Sequence, residues 1–523
     1  MGSSGGSGSG VAPLDCTIPN PGASLIRRLT RFEYSNTVRD LLGDTTRPGD
    51  LLPPEEQGNG FSNDAATVTT TRLLADAYQS VAHATAARAV ANAATLAQLA
   101  PCDTAKTTEA ACAQAFVTDF GTKAFRRPID AEESAAMMGV YDAGTVGGAY
   151  ADGVASVIEM VLQLPQFLYR VELGVPSAIS AVARPSSYEM ASRLSYFLWG
   201  SMPDAALLDA AKAGQLDTKE QVAAQANTML ADPRVHDVVT FFHDTLYGII
   251  GLDGLQRDTT FFPTYSSSLG ALFREETEHF LDDVVWNGAG DFKTMMTGAY
   301  TFLNGPLATF YGIPGVTGDA FQRVNLDKTR RGGILTQASV LTATTPGSHN
   351  NPVVRGKFVY TELLCGVVPD PPPGLNIVEP VETPTMTTRE LFMAHRQPAC
   401  AGCHARLDNV GFGFEHYNGV GLWQDLDNGQ AIDDTGNIPD GDIAGNFKGV
   451  IELATKIASS TQAHDCYVGQ WLNFAYGRTA QQADACTRQE LTTAFKKSNG
   501  NVKDLLVALT QTDAFLYRPL QNP

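Results

Sequence analysis

The sequence lacks any run of eighteen apolar residues, the length that a membrane-spanning helix requires. Its first ten residues, MGSSGGSGSG, also lack the apolar segment of an export signal. We interpret residues 1–15 as a flexible Gly/Ser tether, which is either an addition made for expression or the start of a mature exported chain. The sequence therefore predicts no transmembrane segment.

Positive charge is scarce, since 37 Lys and Arg stand against 56 Asp and Glu, and the formal net charge is -19. Such a surface would repel the phosphates of nucleic acids, so the charge argues against a nucleic-acid ligand. It is typical of a solvated acidic surface, and it would also suit a basic redox partner. The chain of 523 residues is long enough for several structural units with ample cores.

The most specific motif is Cys-x-x-Cys-His, formed by Cys400, Cys403 and His404. This spacing attaches c-type haem, because two thiols can form thioethers to the porphyrin and the next imidazole can ligate the iron. The alternatives are a thioredoxin-like redox pair, half of a zinc site, and a plain disulfide. No βαβ pattern surrounds the motif and no second cysteine pair stands at zinc-ribbon spacing. The motif therefore predicts one covalent haem c, with His404 as the proximal iron ligand.

The other six cysteines are an even set, which predicts three disulfides in an exported protein. Cys102–Cys112 would close a short loop, and Cys466–Cys486 would bracket an amphipathic helix and its turn. Cys16–Cys365 follows by elimination. Because haem is attached to this motif outside the cytoplasm, we expect a periplasmic, outer-membrane-associated or extracellular bacterial protein. Its native precursor would carry an export signal, and a lipid anchor is compatible with the same route.

Helical periodicity dominates the chain. Leu25–Leu42 repeats apolar residues at three and four, carries a capping box at Thr30 and Glu33, and is followed by Gly43. The Ala-rich stretch Leu73–Leu99 predicts one long helix. We expect a mainly α, multi-helical fold with few short strands and a c-type haem-binding helical module near the C-terminus.

Several segments resemble one family of secreted cytochrome-like proteins, mostly from planctomycetes and myxobacteria, built from domains of unknown function. RRLTRFEYSNTVRDLLG is similar to DUF1587, FRRPIDAEE to DUF1595, YEMASRLSYFLWGSMPDAALLDAA to DUF1592, CAGCHARLDNVGFGFEHYNGVGLW to DUF1588, and WLNFAYGR to DUF1585. The resemblance implies haem c on the residues matching Cys400, Cys403 and His404. It implies domains at 16–100, 101–180, 181–325, 326–445 (the haem domain) and 446–523.

The ligand on the other face of the iron separates electron transfer from chemistry, because Met or His closes the iron whereas an open site can bind peroxide or oxygen. No methionine follows Met393, which excludes the downstream Met of small cytochromes. His395 is the first distal candidate, and the resemblance includes a recurring His-Arg at this place. Its alternatives are capping a helix end or binding a propionate. His349, in a loop, is the second candidate, and Met386 and Met393 are the third.

Arginines and aromatic residues complete the predicted site. Guanidinium groups match carboxylates in a bidentate way, so the candidates for pairing with haem propionates are Arg355, Arg396 and Arg406. Phe412 and Phe414 should pack against the haem edge, although ordinary core packing makes nearly the same prediction.

Two acidic segments have features of metal sites. Residues 424–447 are turn-rich and resemble a calcium loop, but the order of an EF-hand is not met, so calcium is the less favoured interpretation. Glu276 and His279 have the Glu-x-x-His spacing of di-iron proteins, but such a site needs two of these motifs. We favour a charged, exposed helix face there.

Two functions of different class follow from a single haem. The first is a redox protein of the cell envelope that passes electrons to or from a partner protein. The second is a peroxidase-like or oxygenase-like enzyme with an open or displaceable distal site and a small-molecule substrate, which the length of the chain before the motif favours. A binding protein with structural haem is the third hypothesis.

Overall fold

The structure is a computed structural model, which describes residues 15–58, 60–67, 69–179, 182–347, 350–369, 383, 385–393 and 398–520. Over these residues the protein is mainly helical with few short strands, which confirms the predicted fold class. No helix among them is both long and apolar enough to cross a membrane.

The helices are α1 (Arg31–Leu42), α2 (Arg72–Ala91), α3 (Ala93–Leu99), α4 (Glu109–Phe125), α5 (Ala131–Gly144), α6 (Tyr150–Val161), α7 (Pro165–Leu168), α8 (Ser187–Leu198), α9 (Ala205–Lys212), α10 (Lys219–Met229), α11 (Arg234–Leu246), α12 (Leu269–Asp282), α13 (Phe292–Thr297), α14 (Gly305–Tyr311), α15 (Ala338–Ala343), α16 (Pro352–Phe358), α17 (Thr388–Phe392), α18 (Pro398–Gly411), α19 (Gly449–Ser459), α20 (Thr461–Tyr476), α21 (Ala485–Lys497), α22 (Val502–Thr510) and α23 (Asp513–Leu516). Two π-helical turns, Asp283–Asn287 and Val359–Leu363, continue α12 and α16.

The strands of the described residues are short and antiparallel, and they form four two-stranded sheets and one three-stranded sheet. They are β1 (Arg27–Arg28), β2 (Tyr169–Arg170), β3 (Val175–Pro176), β4 (Val182–Arg184), β5 (Tyr300–Leu303), β6 (Gln322–Asn325), β7 (Leu426–Asp427), β8 (Gln430–Ala431), β9 (Thr435–Ile438), β10 (Gly445–Lys448) and β11 (Arg518–Pro519). The pairing of β11 with β4 brings the end of the chain back beside its middle.

Capping residues explain where the first helices begin and end. The Thr30 side chain accepts from the Glu33 backbone N–H, and the Glu33 side chain accepts from the Thr30 backbone, so the predicted capping box is present. It starts α1 at Arg31, later than the predicted Leu25. Asn92 divides the predicted long helix, because its side chain caps the start of α3.

Two hydrophobic cores account for most of the buried side chains. The first is formed mainly by residues 29–168, together with Tyr196 and Met202, and in it both α2 and α5 pack on α6. The second extends from α8 to α23, and at its centre Trp471 stacks on Phe242 with ring centroids 3.7 Å apart. The predicted segments 16–100 and 101–180 therefore share one core.

The structure confirms one predicted disulfide, Cys102–Cys112, and pairs the other four cysteines as Cys16–Cys486 and Cys365–Cys466. The predicted Cys466–Cys486 and Cys16–Cys365 bonds are therefore wrong. Cys466 is buried on α20, which packs against the π-helical turn that ends just before Cys365. Cys486 lies at the start of α21. Arg478, just before this helix, donates to the carbonyls of Pro21 and Ala23 and so holds the N-terminal segment nearby.

Opening the long-range disulfide should cost more stability than opening the local one. Cys365→Ser with Cys466→Ser releases a loop spanning 101 positions, and Cys102→Ser with Cys112→Ser releases one spanning 10. Loop-closure entropy predicts losses of about 5 and about 3 kcal/mol in unfolding free energy, respectively. Urea denaturation of the two double variants measures the difference, and a larger loss from the 102/112 pair would contradict the prediction.

Candidate functional site

Helix α18 carries the Cys-x-x-Cys-His motif within its first two turns. Residues at i, i+3 and i+4 lie on one face of a helix, so Cys400, Cys403 and His404 share a face. Both cysteines are half-buried, and they are the two that remain outside the disulfides. The Cys403 Sγ lies 3.6 Å from the carbonyl oxygen of Pro369, at the end of the segment that follows α16. Two thiols and one imidazole are therefore presented together, as haem c requires.

A buried carboxylate orients the imidazole of the motif. The His404 Nδ1 lies 3.0 Å from the Asp408 Oδ1, one turn further along α18. Asp408 is 5% exposed. A carboxylate accepts hydrogen bonds, so Nδ1 carries the proton and Nε2 is the nitrogen assigned to iron ligation. Asp408 was not among the residues predicted from the sequence, although it stands four residues after His404 and therefore lies on the same face of a helix.

Helix α18 packs directly against α16 at two glycines. A side-chain carbon on Gly356 would overlap the carbonyl oxygen of Leu407, and one on Gly411 would overlap the carbonyl oxygen of Pro352. The two backbones therefore approach more closely than any larger residue would permit. This contact fixes the position of the motif relative to the second core.

Arg355 holds the loop that follows α18. Its side chain is 1% exposed and donates to the carbonyl oxygens of Tyr417 at 2.8 Å and Asn418 at 2.7 Å. Burial lowers the pKa of Arg355 to about 9. Its two terminal nitrogens donate to the protein's own carbonyls, which gives Arg355 a structural role, and its pairing with a haem propionate stays a prediction.

Five family profiles match the chain in succession, each described as a protein of unknown function. They are DUF1587 over residues 27–91, DUF1595 over 112–172, DUF1592 over 186–313, DUF1588, also called PSCyt3, over 331–427, and DUF1585 over 445–515. The chain belongs to the family built from these five domains. No curated protein and no solved structure matches it.

The DUF1588 domain contains the other predicted site residues that the structure describes. Arg406 donates to the Tyr360 hydroxyl at 3.0 Å and lies 3.3 Å from the Asp440 carboxylate, with 43% of its side chain exposed. Phe412 and Phe414 are buried, at 1% and 2% exposure. The guanidinium of Arg389, on α17, lies over the Phe412 ring. Core packing therefore accounts for both phenylalanines, and their contact with haem stays a prediction.

Only the two methionines among the distal candidates belong to the described residues. His349, His395 and Arg396 lie outside the described residues, so their predicted roles stay predictions. Of the two candidate methionines, Met393 is 40% exposed at the end of α17, and the Met386 carbonyl accepts from the Asn428 side chain.

The polar segment after the motif forms two short hairpins, β7–β8 and β9–β10. The Asp427 carboxylate accepts from the Thr388 backbone, and the Asp433 carboxylate accepts from Thr435. Within the described ranges, no group of three His, Cys, Asp or Glu side chains is placed to hold a metal ion.

Two buried carboxyls were not recognised in the sequence. Glu276, in the DUF1592 domain, is 2% exposed and accepts from Thr301 at 2.7 Å and Tyr311 at 2.6 Å, so the predicted exposed helix face is wrong at this position. Burial raises its pKa to about 7, against those hydrogen bonds. Burial likewise raises the pKa of Glu415, beside the Arg355 loop, to about 8. Glu276 belongs to the Glu-x-x-His pattern, but that pattern does not indicate burial, and Glu415 belongs to no motif.

Gly356→Ala should displace α18 and destabilise the DUF1588 domain, because the added methyl meets backbone that has no rotamer to change. Overpacking of this kind typically costs about 1–3 kcal/mol of unfolding free energy. Thermal melting of Gly356→Ala and Gly411→Ala measures it. Gly402→Ala is the matched control, since nothing lies within 4 Å of the added carbon and alanine favours helix. Equal melting temperatures for all three variants would contradict the proposed close contact between α16 and α18.

Glu276→Gln should flatten the dependence of stability on pH between about 5 and 7. In this window the folded protein keeps a proton on Glu276 that the unfolded chain has lost, so unfolding free energy falls as pH rises. The full effect is on the order of 3 kcal/mol. Urea denaturation at several pH values measures it. Glu275→Gln removes the same charge from the partly exposed neighbour, and an equally flat profile in that control would refute the assignment.

Proposed function

We propose that this protein is a single-haem, c-type cytochrome-like redox protein that transfers electrons in the cell envelope. The observation that carries the proposal is the shared face of α18, where Cys400 and Cys403 stand outside the disulfides beside an imidazole oriented by Asp408. When bound, haem c supplies an iron centre that changes by one electron, with a potential tuned by its ligands and surroundings.

The chain's own residues suit the attachment of that group. Cys400 and Cys403 would form the two thioethers, and the His404 Nε2 would ligate the iron. Asp408 keeps the Nδ1 proton in place and makes the imidazole a stronger donor. Leu407 and Val410, on the adjoining turn, are 5% and 0% exposed and pack α18 into the protein. A ligand held on a packed helix changes little in position between redox states.

The proposed location rests on the three disulfides. Disulfides persist in oxidising compartments, and the three bonds join parts of the chain as far apart as Cys16 and Cys486. This supports a periplasmic or extracellular site. The family name PSCyt3 of the DUF1588 domain also points to a cytochrome-like nature.

Charge supports the kind of redox partner that we propose. The net charge of -19 gives an acidic surface, which would speed encounters with a basic electron carrier. Such steering weakens as ionic strength rises, so the rate of electron exchange with a basic cytochrome should fall with added salt.

The first test is covalent haem itself. Protein matured in a host that makes cytochromes c should carry the mass of one haem, and Cys400→Ala with Cys403→Ala should release haem to acid-acetone extraction. A bare chain mass in the wild-type protein would overturn the proposal.

The optical spectrum then separates the two classes of function. A low-spin spectrum unaltered by cyanide or carbon monoxide is expected for electron transfer, whereas high-spin iron that binds these ligands would support an enzyme instead.

Asp408→Asn should raise the reduction potential of the haem, because a neutral partner makes His404 a weaker donor to ferric iron. We expect a shift on the order of 60 mV, which is a tenfold change in the equilibrium of a one-electron couple. Redox titration of the holoprotein measures it. Asp425→Asn removes the same charge from a side chain that is 74% exposed and serves as the control. An equal shift in both variants would assign the effect to net charge instead of to the hydrogen bond.

A further inference from the structure

A cleft of about 290 Å³ lies on the side of α16 that faces away from α18. Gly356 faces α18, whereas Val354, Lys357 and Phe358, on the opposite side of the same helix, line the cleft. One helix of about 10 Å diameter therefore separates the cleft from the Cys-x-x-Cys-His helix. We propose that this cleft binds a neutral, hydroxyl-bearing small molecule the size of one sugar ring.

The cleft is built where distant parts of the chain meet. Phe61, the end of α11 at Thr245–Gly248, the end of α15, α16 with its π-helical turn, and Gln470 on α20 all contribute to it. Pockets at such junctions are a usual place for ligands, and its volume stands at the lower end of the range for ligand sites. The π-helical turn supplies Thr361 and Glu362, and turns of this type occur frequently at functional sites.

The amide of Gln470 points to a ligand. Its side chain is 9% exposed and lines the cleft, and no residue in the described part of the chain forms a hydrogen bond with it. Buried polar groups are almost always hydrogen-bonded, so an amide in this position is ready to donate to and accept from a bound molecule. Thr245, in contrast, already donates its hydroxyl to the Phe241 carbonyl.

The remaining walls define the class of ligand. Lys357 and Glu362 both line the cleft with opposite charges, so its lining carries no net charge and disfavours a ligand with one. The Thr361 hydroxyl lies 2.9 Å from both the Glu362 carboxylate and the Lys357 carbonyl oxygen, and it can donate to one of them at a time. Tyr247 and Phe358 give the cleft apolar walls. A sugar ring matches this combination, because it has an apolar C–H face and hydroxyl edges that both donate and accept.

The inference goes beyond the proposed redox function and does not depend on haem, since every residue that carries it belongs to the cleft. The test uses the full chain as isolated. Glucose and N-acetylglucosamine are the neutral probes, glucosamine and glucuronate are the charged ones, and ligand-observed NMR with competition measures affinity.

We expect the neutral sugars to bind the wild-type protein and Gln470→Leu to weaken that binding about tenfold or more, because the leucine offers neither donor nor acceptor. Gln114→Leu, at an exposed position of α4 outside the cleft, is the matched control and should bind as the wild type does. Ala343→Leu fills the cleft from the end of α15 without touching Gln470, and it should also weaken binding if Gln470→Leu does not fold.

Three results would overturn the inference. The first is that no neutral sugar binds the wild-type protein. The second is that Gln470→Leu and Ala343→Leu both bind the sugars as tightly as the control does, which would place the binding site outside the cleft. The third is that only glucosamine or only glucuronate binds, which would assign the cleft to a charged ligand held by Glu362 or Lys357.

Discussion

The contact between α16 and α18 is the constraint on which the rest of the site depends. Gly356 and Gly411 let two helix backbones meet without side chains between them, so the helix that carries Cys400, Cys403 and His404 has one possible depth and direction. Packing at this distance is intolerant of change, because a carbonyl oxygen cannot move aside as a flexible side chain does. The position of the imidazole is therefore set by backbone contact before its partner Asp408 orients the ring.

Buried arginines extend the same principle to the whole molecule. Arg126 donates to the carbonyls of Gln166, Phe167 and Tyr169, Arg193 to that of Phe515, Arg355 to those of Tyr417 and Asn418, and Arg478 to those of Pro21 and Ala23. Each joins segments distant in sequence. A guanidinium has five N–H donors, so one side chain can satisfy several carbonyls that helix ends and loops leave unpaired. Arg126, Arg193 and Arg478 lie in the segments that mark DUF1595, DUF1592 and DUF1585, so these three segments have a structural explanation that is independent of the reaction.

The sequence was sufficient for what depends on neighbours along the chain. The Cys-x-x-Cys-His motif, the capping box at Thr30 and the Cys102–Cys112 bond are all local, and the structure has the last two as expected. Cys16–Cys486 joins residues 470 positions apart, and no local pattern distinguishes this pairing from its competitors. For Arg355 the sequence is equally uninformative, since a cation near a Cys-x-x-Cys-His motif looks the same in sequence whether it faces a propionate or a row of carbonyls.

Helix α16 also explains how the Cys-x-x-Cys-His helix and the cleft can lie close together without sharing residues. Its glycine-bearing side admits the backbone of α18, and its opposite side ends in a π-helical turn whose extra residue opens the wall that Thr361 and Glu362 line. A ligand in the cleft would press on the same rigid helix that positions His404. Interfaces as tightly packed as this one transmit small displacements, because they have no free volume in which to absorb them. Any coupling between the cleft and a haem iron would therefore pass through Gly356 and Gly411. An alanine at either position would alter both this coupling and the position of α18.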